Sequence, residues 1–321
     1  MLMATDAKAR FIDGELNVSK NTFLSRCFTY KALLIMCLPA VVIMAIFTYG
    51  PMIGVVTAFQ NYQPIKGFFG SKFVGFQNFT NLLSTSMLIN IIRNTLGLSL
   101  LKLIIGFPTA IIFALLLNEV RRTAFKRTIQ TISYLPHFIS WVVVIGIWGK
   151  LLSVDGGVLN NLIAVLFHTD NVVYLASSWF MWPFAIFSEM WKEMGWSAII
   201  YLAALSGINP ELYEAAIVDG AGRPAQLWHI TLPGLRSTIA ILLILAIPGI
   251  VGSNTDQMWV LGTLPVRDAT EVIDTYVLRT GLGSAKYGIA AAAGLMKSVL
   301  SFILLFIADR GAKAMGEDGI L

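Results

Sequence analysis

The side chains able to do chemistry in this sequence gather in two apolar stretches. In the first, Trp182, Glu189 and Trp196 are spaced seven apart and Glu193 follows Glu189 by four, so all four fall on one helical stripe. Aromatic faces beside carboxylates that accept hydroxyl protons suit a path for a polyhydroxylated solute. The bland alternative stands beside it: Trp179, Trp182, Trp191 and Trp196 form an interfacial belt, and Glu189 pairs with Lys192 at i, i+3. In the second stretch Asn254 and Asp256 follow fifteen apolar positions. They either line a path or cap a helix, and Asp256 reads better as a cap. His137, His168 and His229 lie in separate segments without ligand-like spacing, so neither a metal site nor a catalytic residue is expected. No Gly-x-x-x-x-Gly-Lys-Ser/Thr phosphate loop occurs, and no cofactor is expected on this chain. Cys27 and Cys37 read as apolar filler, and Lys102, Lys150 and Lys297 as snorkelling or paired cations.

The elements that must position these groups are membrane helices. Of 321 residues, 56% are hydrophobic and 13% charged, and mean hydropathy is +0.74, whereas a soluble domain carries about a quarter charged residues. Six apolar blocks, near 32–58, 94–117, 129–152, 179–205, 237–258 and 287–308, each approach the ~20 residues that cross a bilayer. The expected fold is therefore all-α and polytopic. A polar tail covers 1–31, the six-span domain 32–310, and a second tail 311–321. Pro39 and Pro51 interrupt the first block and need neighbours to satisfy the backbone groups they free. The fifth block is the weakest, because polar residues begin at Gly252.

Basic residues set the orientation. The first tail, the loop 118–128 (Arg121, Arg122, Lys126, Arg127), the loop 206–236 (Arg223, Arg236) and the second tail (Arg310, Lys313) outweigh Lys66, Lys72, Arg267, Arg279 and Lys286 in the opposite loops. The positive-inside bias then puts both termini and loop 206–236 in the cytoplasm. The excess of cations is topological, and nucleic-acid binding is not expected.

Loop 206–236 holds the most specific pattern. Asn209 suits a helix N-cap, Pro210 the first helical position, and Glu211 and Glu214 the positive end of the helix dipole. Gly220 and Gly222 are expected to end this helix. A second short helix is expected from Pro224 until Pro233 turns the chain into the next span, with Leu212, Tyr213, Ala216 and Ile217 as an apolar docking face. An ordinary interfacial hairpin would use the same residues for packing alone.

The series Glu214-Ala215-Ala216, Gly220, Ile230 and Leu232-Pro233 resembles the EAA loop of permeases in ATP-binding-cassette importers. The resemblance implies a type I importer permease whose short helix docks on a separate ATPase subunit. Glu214 would meet a basic side chain there, Ala215, Ala216, Asp219, Tyr213 and Ile217 would complete the contact, and Gly220 would allow the turn. It also implies partners: a second, related permease, two ATPase subunits that hold ATP and Mg, an extracytoplasmic solute-binding protein, and the lipid of a bacterial cytoplasmic membrane. Phe73-Val74-Gly75-Phe76-Gln77-Asn78-Phe79, Asn94-Thr95, Tyr134-Leu135-Pro136 and Asp155-Gly156-Gly157-Val158-Leu159-Asn160 resemble the sugar-type permeases, nearest to those for oligosaccharides, lipo-oligosaccharides and alginate. The implied cargo is an oligo- or polysaccharide. An importer for a non-sugar solute is the alternative within the class. An ion-coupled secondary transporter, which often shows an internal repeat, is the alternative outside it.

Overall fold

A computed structural model describes residues 30–252 and 255–314, and the chain divides into two compact units, 1–55 and 56–321. Asn254 and most of the N-terminal tail, with Cys27, lie outside the described residues. The first helix, α1 (Lys31–Phe59), passes from α geometry through a π turn at Ala45–Tyr49 into a 3-10 stretch, Gly50–Phe59. Pro51 lacks the N–H an unbroken α-helix would donate to Phe47, which is where the geometry changes. From Tyr30 to Gly50 every side chain, Cys37 included, is exposed. An apolar helix exposed all round suits lipid or a second membrane chain.

In the second unit a two-residue antiparallel ladder joins β1 (Gln60–Asn61) to β2 (Lys72–Phe73), in register Gln60 with Phe73. The helices α2 (Gln77–Leu83), α3 (Leu88–Glu119) and α4 (Thr123–Tyr134) follow, then a 3-10 turn at Leu135–Phe138. After it come α5 (Trp141–Leu151), α6 (Val158–Phe167), α7 (Ser178–Ser206) and α8 (Pro210–Val218). The chain continues as α9 (Arg223–Ala246), a 3-10 segment Ile247–Val251, α10 (Thr255–Leu261), α11 (Ile273–Leu278) and α12 (Tyr287–Ala314).

Helices α1, α3, α9 and α12 are long and apolar enough to cross a membrane. Helix α7 has 29 residues but carries Glu189, Lys192 and Glu193. The expected third span, 129–152, is not one helix. Helices α4 and α5 meet at 107°, because Pro136 cannot donate its backbone hydrogen bond and its ring displaces the carbonyl four residues back. Ile139 and Ser140 then turn extended, and Ser140 caps α5. The expected fifth span, 237–258, also breaks, ending as a 3-10 segment before α10.

Helices α3 and α7 form the spine. Ala110 and Ala114 on α3 meet Ala198, Tyr201 and Leu205 on α7, with Leu235 of α9 closing the cluster. Small residues at such a seam let backbones approach where lipid offers no hydrophobic drive. Toward the other end Leu98, Phe184 and Ala185 pack with Trp141, Val144 and Ile145 of α5 and with Met258 and Leu261 of α10. Gly195 is required where α4 crosses α7, since a Cβ there would lie 2.2 Å from the Ser133 carbonyl oxygen.

Candidate functional site

Helices α3, α7 and α9 line an open cavity of about 540 Å³, to which the 3-10 segment after α9 adds Gly249 and Ile250. Its wall carries Lys102 and Phe107 from α3, Glu189, Glu193, Trp196 and Tyr201 from α7, and Leu242 and Ala246 from α9. Two polar nodes organise it.

The first joins α3, α7 and α10. The Lys102 ammonium, 8% exposed, forms an ion pair with Glu189 and donates to Gln257 Oε1 at 2.5 Å. Gln257 is fully buried and donates to Ser188 Oγ at 2.9 Å and to the Ala185 carbonyl at 2.8 Å. Glu189 therefore pairs across helices rather than with Lys192. Neither Lys102 nor Gln257 was marked by its spacing.

The second node fastens the bend between α4 and α5 to α7. His137 Nδ1 lies 2.7 Å from Glu193 Oε2, and the ring stacks flat on Trp196 with centroids 4.4 Å apart. Lys192, with its side chain 7% exposed, reaches Glu193 Oε1 at 3.1 Å and donates to the His137 carbonyl at 2.5 Å. The carbonyl freed where the helix breaks is thus satisfied by a cation, as a broken span requires. His137 thus takes a structural role, holding the bend against α7.

Three of the four stripe residues, Glu189, Glu193 and Trp196, face the cavity. Trp182 does not line it: its Nε1 donates to the Ala269 carbonyl at 2.9 Å, and its ring fills the space left by Gly97, where a Cβ would come within 2.5 Å. The segment it holds also receives Asn94, which donates to the Asp268 and Glu271 carbonyls at 2.8 and 3.0 Å. Beyond the spans, Glu271 is 4% exposed, 3.6 Å from Arg279 and 3.7 Å from Arg267. Burial pushes its carboxyl above the usual range against the opposing pull of Arg279 and then Arg267. Asp256 sits in the first turn of α10, as a capping acid does. Lys297 pairs with Asp274 at 2.5 Å. Among the described residues no group of three or more His, Cys, Asp or Glu could hold a metal.

Loop 206–236 folds much as its residues direct. Asn209 accepts from the Glu211 N–H at 3.0 Å and Pro210 opens α8. Gly220, at φ +78°, ends it. The Ala221 N–H reaches the Ala216 carbonyl at 2.8 Å and the Gly220 N–H that of Ile217 at 3.0 Å, the paired bonds of a glycine C-cap. Gly222 does not stop the helix but caps the next one in extended geometry. Pro233 does not turn the chain either. Helix α9 runs through it, with a π turn at Leu227–Thr231 absorbing the missing donor, so Ile230 and Leu232 are half-buried inside one helix.

The two sides of α8 differ. Tyr213 and Ala216 are half-buried, and the Tyr213 hydroxyl lies 3.0 Å from Thr231 Oγ1 on α9. Glu214, Ala215, Ile217, Val218 and Asp219 are exposed, and Glu214 has no ion-pair or hydrogen-bond partner among the described residues. The outer face thus presents an unpaired carboxylate beside Ile217, 63% exposed, and Val218, 87% exposed.

Residues 106–316 match the family described as binding-protein-dependent transport system inner membrane component. The polygalacturonan/rhamnogalacturonan transport system permease protein YteP of Bacillus subtilis is 40% identical over 99% of this chain and 100% of its own length. Protein LplB of the same organism is 41% identical over 90% of this chain and 91% of its own. Among solved structures, a bacterial transporter that imports the acidic polysaccharide alginate superposes with a TM-score of 0.83 at 38% identity, over 91% of this chain and 98% of that one. The same kind of transporter in complex with an alginate pentasaccharide-bound periplasmic protein gives 0.85 at 37% identity, over 93% and 99%.

Proposed function

This chain belongs to the family of binding-protein-dependent transport system inner membrane components and is a permease subunit of an ATP-binding-cassette importer; we propose that its cargo is an acidic, uronate-containing oligosaccharide. Relatives named for polygalacturonan and alginate support that chemistry, and the cavity wall supplies what a sugar needs: Trp196 and Phe107 as apolar faces, and Glu189 and Glu193 as acceptors.

In this reading the chain pairs with a second permease, receives sugar from an extracytoplasmic binding protein, and docks on ATPase subunits that bind ATP and Mg. The loops rich in Lys and Arg, with both termini, face the cytoplasm. Helix α8 is the docking element. Its outer face offers Glu214 to a basic side chain and Ile217 and Val218 to a groove, while Tyr213 fastens its inner face to α9.

The observation that carries the mechanism is the continuity of α9. One helix runs from Arg223, beside the docking turn, to Ala246 in the cavity wall. A displacement of α8 is therefore delivered through Tyr213 and Thr231 to the wall that holds the sugar, as two packed arrangements of a rigid element allow. The test reconstitutes the chain with its partner permease, ATPase subunits and binding protein in proteoliposomes. ATP-dependent accumulation of labelled trigalacturonate is expected. Accumulation of neutral oligosaccharides only, or of none, overturns the reading.

A further inference from the structure

A second cavity, of about 320 Å³, lies within the second unit, between the ladder β1–β2, helix α2 and the start of α12. On the orientation proposed above, it opens on the extracytoplasmic side. Its lining is unlike the core. Gln60, Gln77, Asn81, Tyr62, Lys286 and Tyr287 contribute amides, phenols and one ammonium.

The scaffold around it is fixed by hydrogen bonds and a close approach. Asn78 donates to the Ala58 and Gln60 carbonyls, both at 2.9 Å, which ties α2 to the ladder. Gly288 lets α12 start against that junction, since a Cβ there would lie 2.5 Å from Asn78 Nδ2 and from the Gln60 oxygen. The rings of Tyr62 and Tyr287 meet edge to face at 5.9 Å. Ala285, also in the lining, sits at φ +52°, a strained conformation for a non-glycine residue of the kind that tends to mark binding sites. Gln60 is 8% exposed and uses its Nε2 on the Phe68 carbonyl at 2.8 Å, while its Oε1 has no hydrogen-bond partner among the described residues.

Charge then selects the ligand. Residues 59–118 and 275–307 contain no Asp or Glu, so no carboxylate comes from any segment lining this cavity. Those same segments carry Lys66, Lys72 and Lys286, and among the described residues none of the three makes an ion pair. Amides and phenols pair with hydroxyls, and an unpaired ammonium with a carboxylate. The motif that builds the site, Phe73 to Phe79, is not used by the docking loop or the central cavity.

We propose that this cavity is an outer binding site for one uronate unit of the cargo, with Lys286 holding its carboxylate and Gln77 and Asn81 its hydroxyls. It deepens the reading of an acidic oligosaccharide and rests on it. A unit held here would meet the importer before reaching the central cavity.

The experiment measures equilibrium binding of labelled trigalacturonate to the solubilised assembly of permeases and ATPases, purified without binding protein. It compares wild type, Lys286→Ala, Gln77→Ala and Trp196→Ala, with the yield of intact assembly on size-exclusion chromatography as the control for folding. Loss of one charge-assisted hydrogen bond should weaken binding about tenfold in Lys286→Ala. Fully methyl-esterified trigalacturonate should bind the wild type as weakly and lose nothing further in the variant. Equal affinity for wild type and Lys286→Ala overturns the proposal, as does weakening by Trp196→Ala alone, which would put the sugar in the central cavity. Affinity of the sugar-free binding protein for the assembly is read in parallel. If it falls in Lys286→Ala while trigalacturonate binding does not, the cations serve a protein surface and the proposal fails. Because these readouts need no uptake, they stand apart from the transport test of the cargo.

Discussion

Removing Lys102 tests whether the node between α3, α7 and α10 holds the cavity wall in place. Lys102→Met leaves Glu189 as an uncompensated carboxylate and leaves Gln257 Oε1, in a fully buried side chain, without its donor. Breaking one side of a buried pair costs about 3–5 kcal/mol. Glu189 is 27% exposed to the cavity, so the lower end applies, near 3 kcal/mol. Glu189→Gln strands the ammonium instead, and at 8% exposure it should cost a similar amount. The double variant removes both charges and keeps only the unsatisfied Gln257 oxygen, a loss of about 1–3 kcal/mol. The two changes should therefore be strongly non-additive, with a coupling of at least about 3 kcal/mol. Denaturant-titrated unfolding of the assembly in mixed micelles, on the four members of the cycle, measures it. Additive single losses, or a double variant less stable than either single one, would show that the pair is not the contact joining these helices.

The remaining tests address other links. Glu214→Ala should lower ATPase recovery on purification and uncouple transport, since a hydrogen bond to a charged partner is worth roughly 1.5–3 kcal/mol once desolvated; recovery and turnover equal to wild type would reduce α8 to an ordinary hairpin. Gly220→Val should do similar damage because φ is +78° there, and co-purification reads it out. Tyr213→Phe should leave the ATPase bound but reduce transport per ATP hydrolysed, with Thr231→Val matching it; an unchanged ratio would remove the hydroxyl pair from the coupling route. The raised Glu271 carboxyl binds a proton more readily in the folded chain than in the unfolded one. Its stabilising contribution is then complete below the ordinary carboxylate range and is lost as pH rises through the raised value. Stability of Glu271→Gln should lack that fall, and parallel pH profiles for the two chains would contradict the assignment.

What could be read from residue order was what neighbours in sequence decide. The N-cap at Asn209, the proline after it and the stop at Gly220 are local hydrogen-bond problems, and each came out as the residues direct. The length and apolarity of α1, α3, α9 and α12 are equally local. The breaks were harder. Pro136 and Pro233 stand in similar apolar surroundings, yet the chain bends by 107° after the first and runs on through the second. The difference is what receives the freed backbone: His137, Glu193 and Lys192 hold a broken end, whereas a π turn inside α9 absorbs the defect. Partners 56 and 155 residues apart, such as Glu193 with His137 and Gln257 with Lys102, leave no periodic trace.

The misplaced residue in the stripe, Trp182, shows why spacing alone could not define the cavity wall. A repeat of seven does not close on a helix of 3.6 residues per turn. Each heptad drifts by ~20°, so Trp182 and Trp196 differ by about 40° around α7. That rotation alone leaves both on one broad face. The decision comes from the other end of the helix, where the segment around Ala269 lies over α3 and α7 and offers a carbonyl at 2.9 Å to the indole. An indole N–H buried without an acceptor is costly, and a nearby carbonyl outcompetes an open cavity. Glu189, one heptad along, has no such cover and meets Lys102 instead. The boundary between packing and pathway on α7 is thus drawn by a single helical turn, Arg267–Thr270, some ninety residues downstream in the chain, and no reading of α7 by itself could have located it.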